Sequence, residues 1–262
     1  MKSSRAATKK KGTTAAAARN NPGYLHPITL AVDIGGTGLK VMALDAQGSP
    51  LSERMRTPTP DPATPQRVLE ALDGLRDRLP ACDRVSVGFP GVIKHGQTLT
   101  AANLHPDWVG FPLQAMLEKG WKIPVHLAND AAVQGYGAIR GKGVELVLTL
   151  GTGLGSALFT DGQLCAGLEL GHHPWRKGKT YEDYLGRRGL KKYGKKRWNR
   201  LLSKAIEQTA HTFNWDHLFI GGGNAKLINF ALPENVSTIS NEDGLFGGVA
   251  LWSYRSRTPQ VK

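Results

Sequence analysis

Residues 28–45, "ITLAVDIGGTGLKVMALD", determine the fold expected for this chain. An apolar run enters a glycine-rich turn and a second apolar run follows at once, which is typical of a β-hairpin with buried strands. A related pattern recurs over residues 145–165, "ELVLTLGTGLGSALFTDGQLC". Because further strands and helices follow each hairpin, the sequence predicts two similar α/β lobes.

Hydrophobic periodicity extends this prediction along the chain. Helical spacing predicts helices over residues 65–80, 130–141 and 198–213, and a final helix around residues 242–252. Residues 217–230 have the pattern of a strand, a glycine turn and a helix.

No apolar run approaches the roughly 18 residues of a membrane span, and no secretory h-region is visible at the N-terminus. Cys82 and Cys165 lie far apart and match no metal-ligand spacing, so free thiols in a reducing cytosol are expected. We therefore expect a cytoplasmic protein without a membrane partner.

The net charge of +13 is concentrated in two segments. Residues 1–22 carry six cations and no acid, and residues 176–200 carry eleven cations and two acids, which leaves about −2 for the rest of the chain. Such segments favour a polyanion: nucleic acid, an acidic membrane surface or a long phosphate chain. Residues 1–22 are predicted to be a disordered basic tail, with a targeting segment or a polyanion-binding arm as alternatives.

Three glycine-rich turns follow buried strands, at residues 33–40, 150–157 and 220–226. Glycine lets the backbone adopt positive φ and approach a ligand closely, so that successive N–H groups can face a phosphate. A single turn of this kind is equally well explained as a tight hairpin, but three at strand ends predict a phosphate-donor site. Asp33, beside these amides, is a candidate to position hydrated Mg²⁺. The candidate donor-binding residues are Asp33, Gly35, Gly36, Thr37, Gly38, Lys40, Gly151, Thr152, Gly153, Gly221, Gly222 and Gly223.

Polar side chains between and after these turns suit a polyhydroxylated ligand, since each hydroxyl both donates and accepts hydrogen bonds. The stretches are "GFPGVI" (88–93), "AANLHPDW" (101–108), "LANDAAVQGYG" (127–137) and "ELGHH" (169–173). Asp130 stands where a strand ends and a helix begins, and it could accept the proton of a substrate hydroxyl in phosphoryl transfer. The alternative is that Asp130 is the N-cap of the helix, and both roles can hold together.

These motifs, in this order, resemble the ROK sugar kinases and are most similar to their polyphosphate glucokinase branch, over about residues 28–252. The resemblance implies a two-lobed actin-like (RNase H-like) kinase fold, with the active site in the cleft between the lobes. It implies phosphorylation of glucose at the 6-hydroxyl, Mg²⁺ as cofactor, and Asp130 as general base. The residues that would hold the sugar are Asn103, Asn129, Asp130, Glu169 and His172, and the three glycine turns would hold the donor.

The resemblance also bears on lobe boundaries, assembly and metals. Residues 23–130 are expected to form the N-terminal lobe and residues 131–262 the C-terminal lobe, with the option that the last helix packs back on the N-terminal lobe. The family is often dimeric, so a homodimer is expected. Many ROK proteins carry a Cys-rich zinc motif after the "ELGH" stretch, but no cysteine follows Cys165 here, so no zinc site is expected. "YEDYLG" (181–186) occupies that region, which makes Glu182 a candidate for the last sugar contact.

The basic string after Glu182 has a candidate use as a track for a long anionic donor. Its alternative explanation is a solvated basic helix or loop. The sequence thus predicts a polyphosphate–glucose phosphotransferase that also has the option of ATP as donor. A strictly ATP-dependent ROK glucokinase is the nearest alternative, and a nucleic-acid-binding protein with a vestigial sugar site is the alternative from another class. Asp130 and the three turns argue against a nucleic-acid partner. The predicted track is Arg187, Arg188, Lys191, Lys192, Lys195, Lys196 and Arg197.

Overall fold

The computed structural model describes residues 26–101, 104–165, 167–240 and 243–255. The predicted tail at residues 1–22 and the predicted sugar contact Asn103 lie outside these residues.

The first sheet has five strands in the order β3-β2-β1-β4-β7. The β1–β2 hairpin and the β2–β3 pair are antiparallel, whereas β4 joins β1, and β7 joins β4, in parallel. The short strands β5 and β6 form a separate hairpin. The bounds are β1 (Thr29–Ile34), β2 (Leu39–Leu44), β3 (Met55–Thr57), β4 (Arg84–Phe89), β5 (Ile93–Lys94), β6 (Gln97–Thr98) and β7 (Val125–Asn129).

The second sheet repeats this arrangement in the order β10-β9-β8-β13-β14. Its hairpin β8–β9 and edge strand β10 are again antiparallel, and β13 and β14 are again added in parallel. The repetition of strand order and direction explains why the two hairpin motifs look alike in sequence. The bounds are β8 (Val144–Leu150), β9 (Leu154–Thr160), β10 (Gln163–Leu164), β11 (Pro174–Arg176), β12 (Lys179–Thr180), β13 (His217–Gly221) and β14 (Val236–Thr238), with β11 and β12 as a separate hairpin.

Helices cover both sheets. In α1, Thr64 caps the N-terminus, Pro65 occupies the first turn, and Val68, Leu72 and Leu75 face the core. The helices are α1 (Pro65–Arg76), α2 (Leu113–Trp121), α3 (Asp130–Tyr136), α4 (Tyr181–Leu185), α5 (Arg187–Phe213) and α6 (Asp243–Arg255), and 3-10 turns lie at Pro106–Trp108, Leu170–His172 and Ala225–Leu227. None of the helices in the described ranges is both long and apolar enough to cross a bilayer.

The helices α3 and α6 lie against each other and link the two sheets. Apolar residues of α3 pack with β8, β9 and β13, where the Tyr136 and Phe159 rings meet edge to face at 5.0 Å. The final helix α6 also contacts β1 and β4 of the first sheet. Its Trp252 stacks on His126 at 3.7 Å and donates its indole N–H to Ser86 Oγ at 2.9 Å. The start of α3, which carries Asp130, is thereby fixed between the lobes.

Several segments differ from the predicted elements. The helix predicted over residues 130–141 ends at Tyr136, and α2 was not predicted. The third glycine turn is followed by a single 3-10 turn and not by a helix, because Asn224 is tied to the second glycine turn: its N–H donates to Leu150 O and its side-chain amide to Gly151 O. The basic segment begins a helix at Arg187, eleven residues earlier than predicted, but Gly194 breaks it with φ 71° and ψ 159°.

Candidate active site

A cleft of about 610 Å³ opens between the two sheets. The first glycine turn lines it from one lobe, the second and third turns from the other, and the start of α3 lies between them. Most of the predicted site residues therefore come together. Those on the cleft wall are Asp33, Gly35, Gly36, Thr37, Gly38, Lys40, Asn129, Asp130, Gly151, Thr152, Gly153, Glu169, His172, Glu182, Arg187, Gly222 and Gly223.

Asp130 is the first residue of α3, and its Oδ1 accepts a hydrogen bond of 2.8 Å from the Ala131 N–H. Asn129, not Asp130, is the N-cap: its Oδ1 accepts from the same N–H at 2.9 Å, and its Nδ2 donates to Gly91 O at 3.2 Å. Burial of the Asp130 carboxyl, followed by repulsion from Asp33, raises its pKa to about 7. A carboxyl with this pKa can exchange a proton near neutral pH.

A wall of acidic and histidine side chains faces the cleft from the second lobe. Glu182, on α4, accepts a 3.0 Å hydrogen bond at Oε2 from the Leu154 N–H, which ties α4 to the second hairpin. Glu169 Oε2 and His172 Nδ1 lie 3.7 Å apart on the 3-10 turn. Burial is the main cause that raises the Glu169 pKa, and Glu182 adds repulsion. Carboxylates and an imidazole in one wall can hold several hydroxyl groups at once.

In the glycine turns, backbone segments approach each other closely, whereas most of the glycines have ordinary backbone angles. The Gly35 N–H donates to Gly38 O and the Gly151 N–H to Gly153 O, each at 3.1 Å. In the three described turns only Gly222 has positive φ, 85°. Lys40 Nζ lies 2.6 Å from Asp33 Oδ2 across the first hairpin. Gly221 does not line the cleft, since it is buried in β13 against the Gln134 side chain.

The basic segment starts at the cleft and leaves it. Arg187 lines the cleft, and its backbone N–H donates to the carbonyls of Gly151 and Thr152 at 3.1 Å. Past Gly194, Arg197 lies over the Tyr193 ring at 4.8 Å. The other predicted track cations are exposed along α5 and lie outside the cleft wall: Arg188, Lys191, Lys192, Lys195, Lys196 and Arg197.

Several cleft residues were missed by the sequence reasoning, and Arg56 is the most notable of them. It lies on the edge strand β3, opposite Lys40 of β2. In the sequence, the only indication of a role for Arg56 was that its segment was expected to form an edge strand beside the hairpin that holds the first glycine turn. Gln134 and Asn224 also line the cleft, from α3 and from the third turn.

Comparisons with known proteins agree with this geometry. The ROK family model matches residues 29–189. A polyphosphate glucokinase from Mycobacterium tuberculosis is 32% identical over 240 residues, which cover 82% of this chain and 88% of that protein. The crystal structure of an inorganic polyphosphate/ATP-glucomannokinase from Arthrobacter sp. strain KM is 32% identical, with a TM-score of 0.78 over 89% of this chain and 100% of that one. A ROK family glucokinase from Streptomyces griseus, in complex with glucose and AMPPNP, is 22% identical, with a TM-score of 0.69 over 87% of this chain and 99% of that one, and supports the fold alone.

These matches confirm two predictions: the two-lobed actin-like fold and the resemblance to the polyphosphate glucokinase branch. The family model spans more than half of the chain, and it includes the first two glycine turns, Asp130, Glu169 and Glu182. The chain belongs to the ROK family.

Proposed function

We propose that this protein transfers a phosphoryl group from inorganic polyphosphate to the 6-hydroxyl of glucose, with ATP as a second donor. The observation that carries the proposal is the place of Asp130, between the glycine turns and the wall formed by Glu169, His172 and Glu182. The names of the two relatives at 32% identity, a polyphosphate glucokinase and a polyphosphate/ATP-glucomannokinase, support this donor and acceptor.

Glucose would bind against the wall of the second lobe. Glu169, His172 and Glu182 supply acceptors and a donor for its hydroxyl groups, and Asn129 can add its remaining amide hydrogen. The neutral sugar avoids the repulsion that an acidic ligand would meet at this wall. Asn103 is proposed as a further contact from the sequence alone.

Asp130 would accept the proton of the 6-hydroxyl as the oxygen attacks the donor phosphorus. The N-terminus of α3 orients the carboxylate through the Ala131 N–H and lowers its pKa, against the larger effect of burial. A pKa of about 7 leaves enough of the basic form at neutral pH and still makes Asp130 a competent proton acceptor. Proton transfer of this kind assists a reaction in which positioning and charge stabilisation dominate.

The donor phosphates would lie against the three glycine turns, where backbone N–H groups and Thr37 and Thr152 can donate hydrogen bonds. Asp33 fits a role in holding hydrated Mg²⁺, because its carboxylate and that of Asp130 repel each other at the cleft floor and so favour a cation there. Bound Mg²⁺ would neutralise charge on the transferring phosphate. Among the described residues no group of three or more His, Cys, Asp or Glu side chains is arranged to hold a metal ion by itself.

The basic helix would guide a polyphosphate chain beyond the cleft. A solvated helix and a track both predict exposed cations, but Arg187 lies at the cleft wall and the other cations follow it along α5. A long polyanion that crosses such a surface releases counterions, which makes its binding salt-dependent. This continuity supports polyphosphate over a strictly ATP-dependent reaction, and no observation favours nucleic acid.

We place this reaction in the cytoplasm, in a homodimer. Cys82 and Cys165 are both free, which suits a reducing compartment. The dimer rests on the family resemblance.

The test of the catalytic assignment is Asp130→Asn. Glucose phosphorylation should fall by at least about 10²-fold, the usual scale for a general base, while the dissociation constant for glucose, measured by calorimetry, changes little. Turnover close to that of the wild type would contradict the role of Asp130. Identification of the product by ³¹P NMR as glucose 6-phosphate would establish the acceptor hydroxyl.

A further inference from the structure

Arg56 occupies a defined place beside the first glycine turn. In the register of the first sheet, Asp33 of β1 is opposite Lys40 of β2, and Lys40 is opposite Arg56 of β3. Residues opposite each other across strands project from the same face of a sheet, and all three side chains line the cleft. The edge strand therefore adds a third charged group to the wall of the N-terminal lobe.

The three charged side chains of this row differ in whether they have an ion-pair partner among the described residues. Lys40 and Asp33 form an ion pair at 2.6 Å, so the Lys40 ammonium already has a carboxylate partner. Arg56 is exposed, and in the described parts of the chain no carboxylate lies within ion-pair distance of it. On the opposite lobe Arg187 lines the cleft beside the second glycine turn. Each of the two hairpin turns thus has an arginine next to it.

Gly38 makes room for the Arg56 side chain. A Cβ atom at position 38 would lie 2.9 Å from Arg56 Nε and 3.2 Å from its Nη2. The φ of Gly38 is not positive, so the backbone conformation does not require glycine here. The lack of a side chain instead lets the guanidinium lie directly over the turn that faces the donor.

We propose that Arg56 binds a non-bridging oxygen of the donor near the transferred phosphate, from the side opposite Arg187, so that the phosphate chain passes between the two arginines. This inference rests on the proposed function. The planar guanidinium can donate two parallel hydrogen bonds to one phosphate, which the compact ammonium of lysine cannot do. Because Arg56 lies at the first turn and not along α5, short and long donors would both depend on it.

The first test compares Arg56→Ala, Arg56→Lys and Arg54→Ala in the full chain. Arg54 is an exposed cation just before β3 that does not line the cleft, so its removal controls for net charge. For Arg56→Ala, kcat/KM should fall about tenfold to hundredfold with tripolyphosphate and with long polyphosphate, while the KM for glucose stays within about twofold. Arg56→Lys should recover only part of the loss, and calorimetry should show the same loss of tripolyphosphate affinity.

The second test uses Gly38→Ala. If a methyl group there displaces the guanidinium, Gly38→Ala should reproduce much of the Arg56→Ala loss, and the double variant should be little worse than Arg56→Ala alone. Additive losses, or an Arg56→Ala variant that matches Arg54→Ala with both donors, would overturn the inference. So would a loss confined to long polyphosphate. These outcomes leave the proposed function intact, whereas a wild-type protein inactive with every donor would contradict the proposed function itself.

Discussion

Replacing Asp130 by asparagine should stabilise the folded protein, and by more at pH 8 than at pH 5.5. The cause is the position of the carboxyl in the cleft floor, where burial and the Asp33 carboxylate disfavour its charged form. Its pKa rises from 3.8 to about 7 on folding, so the unfolded chain loses this proton at lower pH than the folded chain. Stability is therefore lost as pH increases from about 4 to about 7, and the loss is complete above the folded pKa.

The size of the effect on the free energy of unfolding follows from the difference between the two pKa values. A shift from 3.8 to about 7 corresponds to about 4 kcal/mol at pH 8, and to about half as much at pH 5.5. Asp130 borders an open cleft, where solvent screens part of the penalty, so we expect a gain of about 2 kcal/mol at pH 8 and about 1 kcal/mol at pH 5.5. Asparagine can keep the 2.8 Å hydrogen bond from the Ala131 N–H, so the local helix start is preserved.

Urea unfolding of both proteins at the two pH values measures this difference, because groups shared by both proteins cancel. Asp77→Asn, at an exposed site at the end of α1, is the matched control and should show no such pH-dependent gain. An Asp130→Asn variant as stable as the wild type at both pH values would refute the reasoning that burial makes this carboxyl costly.

The remaining predictions concern catalysis and the donor. Because the unprotonated form of Asp130 is required, kcat/KM for glucose should fall on the acid side with an apparent pKa of about 7, and a flat profile from pH 5.5 to pH 8 would contradict this assignment. Charge reversal at Lys195 and Lys196 should weaken the reaction with long polyphosphate and reduce the slope of its logarithmic salt dependence by about 1.4 or more, while tripolyphosphate is affected little. Reversal at the exposed Lys119 and Lys142 is the control, and equal effects of both pairs would indicate general electrostatics in place of a track.

Much of the site could be predicted because its chemistry lies in short local motifs. The first two glycine turns each join two adjacent strands of a hairpin, so the pattern of apolar runs around them indicates both their fold and their place. Asp130 and Glu169 could likewise be selected from the stretches "LAND" and "ELGH". The structure places both at one cleft.

What could not be predicted depends on contacts between distant segments. Arg56 reaches the cleft through the register of β3 on β2, and a three-residue edge strand in a Pro-rich region carries too little periodicity to define that register. Gly221 stands in a run of three glycines that look equivalent in sequence, and only the structure shows that it is the buried end of β13 and does not line the cleft. The alternative role of Asp130 as the helix N-cap was wrong, because the structure places Asn129 at that position and both residue types favour it.

The break at Gly194 is a similar case. Glycine in a basic, polar helix is compatible with either a continuous helix or a kink, and the sequence predicted neither. The structure shows that Tyr193 and Arg197, on the two sides of the break, still contact each other at 4.8 Å, which stabilises the bend in the basic segment.

The most direct test of the central claim is a donor comparison with the purified protein, glucose and Mg²⁺. We expect glucose 6-phosphate to form with long inorganic polyphosphate at a kcat/KM at least equal to that with ATP, and to depend on Asp130. Formation of glucose 6-phosphate from ATP alone would contradict the polyphosphate assignment, and formation from neither donor would contradict the proposed function as a whole.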